Sequence, residues 1–210
     1  MSNLIVKSNA LIQASYVLSL VEQRIILMSI VQARESGQGI TSESILVIRA
    51  MDYAELFDVA KHTAYEALAD AVETLFNRQA TVEVYDKYRD QSKPMKVRWV
   101  TAMAYNEGQG TVSLRFGQEV VPEITRLEKN FTSYELEQVA GLKSAYAVRL
   151  YELLIQWRSS GKTQIINLID LRNQLGVSPN EYQRIERLKS SVLDLAISQI
   201  NEHTDITVKY

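Results

Sequence analysis

Apolar positions in this chain fall at helical spacing in some stretches and alternate in others, and the succession of stretches occurs twice. Residues 20–33 are apolar nearly all round through Ile25, Ile26, Met28, Ile30 and Val31. Ser19 and Glu22 stand ahead of them at capping-box spacing, which predicts a buried helix ending near Gly37. Residues 45–48 read as a short buried strand and residues 52–57 as a short helix. Thr63 with Glu66 is expected to cap a longer helix carrying Leu68, Val72, Leu75 and Phe76 on one face. Residues 81–85 and 97–104 alternate, the latter through Val97, Trp99 and Thr101, and are expected to pair as a ribbon. Gly108 and Gly110 turn the chain into a strand over 111–116, and residues 118–128, with Pro122, predict a short helix.

The pattern then restarts. Thr132 and Glu135 again have capping-box spacing, with Phe131 placed to staple onto Leu136. Residues 143–159 predict a long helix with Leu142, Tyr146, Leu150, Leu153 and Trp157 on one face, stopped by Gly161. Ile165 and Ile166 mark a short strand, Asn167 caps a helix holding Leu171 and Leu175, and Gly176 ends it. Ser178, Pro179 and Glu181 supply N-cap, first-turn proline and capping acid in succession, so a helix is expected to start there. Its inner face would be Tyr182, Ile185, Leu188, Val192, Leu195 and Gln199, and its outer face Asn180, Arg184, Arg187 and Ser191. Residues 68–77 leading into 81–85 are echoed by 192–201 leading into 206–210. Helix, turn, helix, ribbon is the order of a winged helix. The expected fold class is α+β, two tandem winged-helix domains over 1–130 and 131–210 in contact with one another. The chain stops at Tyr210 after one ribbon strand, so the second wing is expected to be incomplete.

Composition narrows the chemistry. A length of 210 residues suits two domains of about 100 residues each. The absence of cysteine excludes disulfides, thiolate catalysis and cysteine zinc sites, and fits a cytoplasmic location. The N-terminus does not read as a leader, and no stretch approaches the ~20 apolar residues of a bilayer span, so no membrane association is expected. The two histidines, His62 and His203, lie in separate units, which rules out a paired-histidine metal or nicking site; a glycine-rich phosphate loop ending in lysine is also missing. No catalytic residue, metal or cofactor is expected, and the chain does not read as an enzyme.

The net charge of −2 does not advertise a nucleic-acid binder, but distribution matters more than the total. Over residues 86–98, Lys87, Arg89, Lys93, Lys96 and Arg98 outnumber Asp86 and Asp90. This segment is either a phosphate-touching wing or a solvated hairpin tip, and Lys143 and Lys209 are further candidates for phosphate contact. The expected recognition helix offers Asn180, Arg184, Arg187, Lys189 and Ser191. The arginine fork matches two acceptors of guanine in the major groove, a pair worth about 1–3 kcal/mol of discrimination. The same face is equally that of an ordinary solvated helix with Glu181 and Glu186 as ion-pair partners. Val97 and Trp99 are candidates for dimer contacts or for core.

Two blocks carry a resemblance. Leu4-Ile5-Val6-Lys7-Ser8-Asn9-Ala10-Leu11-Ile12-Gln13-Ala14-Ser15-Tyr16 with Leu20-Val21-Glu22-Gln23-Arg24 resembles the start of the replication initiators of theta-replicating, iteron-bearing plasmids. Phe131-Thr132-Ser133-Tyr134, Val139-Ala140-Gly141-Leu142-Lys143-Ser144 and Arg149-Leu150-Tyr151-Glu152-Leu153-Leu154 are similar to the opening of that family's second domain, and Tyr182-Gln183-Arg184 and Ile200-Asn201 continue the match. The resemblance implies two winged-helix domains that bind double-stranded origin repeats as monomers, help open the duplex and recruit the host initiator and helicase. It also implies homodimers, joined mainly through the first domain, that bind an operator inverted repeat and repress their own promoter. The recognition helix would map to residues 179–201. Where some relatives have a basic run after the Leu188 position, this chain has Lys189-Ser190-Ser191, which places Arg184 and Arg187 ahead of the serines as readers. A tandem winged-helix transcriptional repressor without a replication role shares every physical feature.

Overall fold

The computed structural model describes residues 3–35, 40–86, 90–125 and 130–210, except for the side chains of 35, 83–86 and 92. The first winged helix is built on α2 (Leu20–Glu35), whose predicted capping box forms: the Ser19 amide donates to the Glu22 carboxylate at 2.6 Å and the Glu22 amide to Ser19 Oγ at 3.2 Å. Glu22 is fully buried and also accepts Arg78 Nε at 2.9 Å, so the cap doubles as an ion pair. Strand β3 (Leu46–Arg49) and helices α3 (Ala50–Leu56) and α4 (Lys61–Phe76) follow in the expected order. The start of α4 differs from expectation. Ala60 is the extended residue ahead of it and no side chain caps it, so Thr63 and Glu66 lie inside the helix.

The expected strand over 97–104 is two strands in two sheets. The strand β4 (Gln79–Asp86) pairs with β5 (Gln91–Arg98), and with β2 (Ser15–Tyr16) on its other side. The next strand, β6 (Val100–Asn106), instead pairs with β7 (Thr111–Phe116), which carries β3 on its far edge. The chain changes sheets at Trp99, which is fully buried with its ring edge-on to Tyr16 at 4.9 Å. Of the expected helix over 118–128, residues 118–120 are a turn, α5 spans Val121–Ile124, and 126–128 lie outside the described residues. On the free side of β3 the Gln32 side chain stands in for a neighbouring strand, accepting from the Val47 amide at 2.8 Å and donating to its carbonyl at 3.1 Å.

Thr132 and Glu135 do not cap a helix. Residues Phe131–Glu135 form β8, antiparallel to β1 (Leu4–Ser8), with Ile5 opposite Tyr134. Thr132 and Tyr134 point inward and Phe131, Ser133 and Glu135 outward, so alternation and a long-range partner override the local capping spacing. Short helices α1 (Asn9–Gln13) and α6 (Glu137–Ala140) flank this ribbon, and α7 (Ala145–Ile155) starts at Ser144, whose side chain accepts from the Tyr146 amide.

A buried charge cluster ties the N-terminal strands to α7. Glu152 accepts Lys7 Nζ at 2.6 Å, Arg149 Nη1 at 2.8 Å and the Tyr134 hydroxyl at 2.6 Å, and Arg149 also bonds the Tyr16 hydroxyl. Lys7, Arg149 and Glu152 are each at least 96 % buried, being 4, 1 and 1 % exposed. Burial alone would raise the Glu152 carboxyl, but Lys7, Arg149 and the hydrogen bonds bring it down to about 2. Lys7 has one carboxylate and a nearby guanidinium, and burial pushes its ammonium down. The two sequence blocks that carry the family resemblance meet in this cluster.

The second helix-turn-helix follows. Asn167 caps α8 (Leu168–Leu175) as expected, accepting from the Asp170 amide at 2.9 Å, and Gly176 ends it at φ +75°. A Cβ on Gly176 would stand 2.6 Å from the Tyr16 carbonyl oxygen, so the end of α8 lies directly on the first winged helix. Arg149 reinforces this contact, donating to the Gln174 carbonyl from Nε at 3.0 Å and Nη2 at 2.8 Å. Residues 165 and 166 are not a strand: Ile165 is fully exposed and Ile166 about one-third exposed, with no strand beside them. Residues 206–210 likewise pair with no strand among the described residues, and Asn201 bonds both the amide and the carbonyl of Val208.

Candidate nucleic-acid interface

The helix expected from Ser178 begins six residues beyond Pro179. Half of the predicted box forms, with the Ser178 amide donating to Glu181 Oε2 at 3.0 Å, yet residues 178–184 remain a loop. Helix α9 (Ile185–Leu188) starts from Arg184, whose backbone is extended and whose carbonyl accepts the amides of Arg187 and Leu188 at 3.0 Å each. A π turn over Lys189–Leu193 joins it to α10 (Asp194–His203). The π turn holds one more residue than an α turn, so positions beyond it rotate by one along the face. The buried face is therefore Leu188, Val192, Ala196 and Ile200. Leu195, expected inside, is 55 % exposed, and Ile185 and Gln199 also leave the core.

The outward residues at the start of this helix include Arg184, Arg187 and Lys189, with Asn180 exposed in the loop ahead and Ser191 half-buried. Lys189 lies over the Tyr210 ring at 5.0 Å. Among the described residues neither Arg184 nor Arg187 makes a side-chain hydrogen bond or ion pair, so Glu181 and Glu186 do not take the role of their partners. Lys143 and Lys209 are exposed. On the hairpin, Lys93 and Lys96 are exposed on β5, and strand alternation puts Lys96 on the face of Arg98 and Lys93 on the opposite one with Met95 and Val97. Arg98 packs over Phe76 at 5.3 Å and donates to its carbonyl. Lys87 and Arg89 lie outside the described residues.

The burial of Val97 and Trp99 fits the second of their two readings. At 6 and 0 % exposed they belong to the core, because β5 turns Val97 inward and Trp99 fills the change of sheet. Arg172 gave no signal in the sequence. It stands in the last turn of α8 and its guanidinium collects the carbonyls of Tyr182 at 2.9 Å, Glu181 at 2.6 Å and Ser178 at 3.3 Å. Backbone acceptors in a loop leave no mark on side-chain patterning.

The two helix-turn-helix pairs place their exposed charges differently. The exposed face of α4 shows Glu66, Asp70 and Glu73, and α3 adds Asp52 and Glu55. Residues 4–155 match the family described as "Initiator Replication protein, WH1", and residues 167–210 match "Initiator Rep protein, WH2". The chain belongs to this replication initiator family. The two winged helices are thus in the expected order, with the first matched segment extending through β8 and α7. A replication initiation protein of Escherichia coli is 26 % identical over 98 % of this chain and 65 % of its own length. An uncharacterized 27.6 kDa protein of the same organism is 25 % identical over 97 % of this chain and 87 % of its own. The fold is shared with a crystal structure of the Pi initiator protein in complex with iteron DNA, at a TM-score of 0.79 and 23 % identity over 99 % of this chain and 89 % of that one.

Among the described residues no group of three or more metal-ligating side chains is assembled, and no helix is long and apolar enough to cross a membrane.

Proposed function

We propose that this replication initiator binds repeated duplex sites at a plasmid origin as a monomer, reading bases with Arg184 and Arg187. The observation that carries the reading is the exposure of both guanidinium groups, free of intramolecular partners, at the start of the third helix of the second winged helix. A helix in this position of a helix-turn-helix presents its first residues to base edges in the major groove. Asn180, Lys189 and Ser191 border the same face. Lys93, Lys96, Lys143 and Lys209, with Lys87 and Arg89, supply phosphate contacts that set register without reading sequence. The protein acts by binding alone, easing opening of an adjacent A·T-rich segment, and hands the opened site to the host initiator and helicase. As a homodimer it binds an inverted repeat at its own promoter and represses it.

The test is an electrophoretic shift of a tandem-repeat array and an inverted repeat, with particle mass measured alongside. Arg184→Ala and Arg187→Ala are expected to weaken binding to the repeat far more than to random duplex. Equal losses on both DNAs would remove these residues as readers.

A further inference from the structure

We infer that Arg172, a residue facing the protein and not the DNA, is a positioning residue for base reading; the inference rests on the function proposed above. The loop over 178–184 has a sequence suited to helix, yet it is held open. Tyr182 sits at φ +44°, a left-handed conformation that a bulky residue rarely adopts unless its surroundings impose it. The imposing group is the Arg172 fork, whose two terminal nitrogens take up the carbonyls of 178, 181 and 182. Two supports assist it. The Glu181 carboxylate folds back on the Ser178 amide, and the Tyr182 ring stands edge-on to Tyr146 at 6.2 Å.

The consequence falls on Arg184, two residues beyond the last clamped carbonyl. Its backbone is extended and starts α9, with Arg187 one turn further on. Without the clamp, Pro179 and Glu181 favour winding the loop into helix, and winding relieves the positive φ at Tyr182. That would carry Asn180 and Arg184 around the helix axis, and the two arginines would no longer approach the groove in the same geometry. A bidentate contact depends on planar alignment, so such a rotation costs discrimination, whereas attraction to phosphate survives it. Lysine cannot replace the fork: its single ammonium cannot span three carbonyls with the geometry of a guanidinium.

The experiment compares the full chain with Arg172→Lys. The probe is a duplex enriched by the wild-type protein from a randomised library, measured against a scrambled duplex of the same composition. Arg172→Lys is expected to lower the ratio of the two affinities by about tenfold or more, the scale of one misplaced bidentate contact. Affinity for the scrambled duplex and the melting temperature stay unchanged, and amide exchange quickens at residues 180–184 but not in α10. Arg172→Gln moves the ratio in the same direction and serves if the lysine variant does not fold. An unchanged ratio in a variant whose wild-type parent discriminates overturns the role of Arg172 alone, as does a parallel loss on both duplexes. A wild-type protein that enriches no sequence overturns this inference together with the reading beneath it.

Discussion

The α3–α4 pair and the pair formed by α8 with α9–α10 have the same order but distribute their exposed charges differently. In the first, Asp52, Glu55, Glu66, Asp70 and Glu73 face outward, a set that phosphate repels, with Lys61 at the start of α4 and Lys93, Lys96 and Arg98 on the β4–β5 hairpin. In the second, Arg184, Arg187 and Lys189 gather outward at the start of the helix, while the exposed acids Asp170, Glu186, Asp194 and Glu202 are spread along the pair. The polar interior differs too. Lys7, Arg149 and Glu152 are buried in one cluster between the N-terminal strands and α7, while Arg184 and Arg187 remain in solvent. A shared topology therefore does not mean a shared use: charge turned inward fixes architecture, and charge turned outward is available to a ligand.

The comparison can be broken in four ways. The largest effect is expected from Glu152→Ala, which strands two buried cations and should cost about 3–5 kcal/mol in urea unfolding. The same carboxyl has a pH signature. Its folded pKa of about 2 lies below the ordinary 4.5, so its contribution is complete above that value and is lost as pH falls from 4.5 toward 2. Glu152→Gln should flatten this part of the stability profile, and a profile equal to that of the wild type would refute the assignment. Next comes Arg184→Ala with Arg187→Ala, each expected to cost about 1–3 kcal/mol of discrimination against a wrong base, with stability unaffected.

Smaller still is a change of sign on α4. Glu66→Lys with Asp70→Lys should strengthen binding to random duplex and steepen its salt dependence, by about 0.9 in log–log slope for each phosphate newly neutralised. No change would mean that α4 stays remote from DNA. Least is expected of Lys96→Ala, which should weaken cognate and random duplexes alike and reduce that slope by about one at most. A selective loss on the cognate site would make Lys96 a reader.

Several local devices were legible in the sequence, although the Thr63–Glu66 spacing lies inside α4 and caps nothing. The Ser19–Glu22 box, the Asn167 cap and the left-handed Gly176 form as spacing predicts. What else escaped depends on distant partners. Thr132 and Glu135 have a capping spacing, but β1 offers a ladder that the local pattern does not contain. Val97 and Thr101 alternate in one continuous phase, yet Trp99 sends them to different sheets. In the interface, the exposed arginines were visible as a spacing, whereas the helix start depends on Arg172 and the face beyond Leu188 depends on the π turn. A turn with one extra residue shifts every later position, so Leu195 and Gln199 give way to Ala196 and Ile200.

Gly176 sits where a hydrogen atom, in place of a methyl group, lets one winged helix rest against the backbone of the other at Tyr16. The span between the two modules is thus gauged at a single α-carbon. An alanine there would act as a shim, forcing one module to shift against its neighbour.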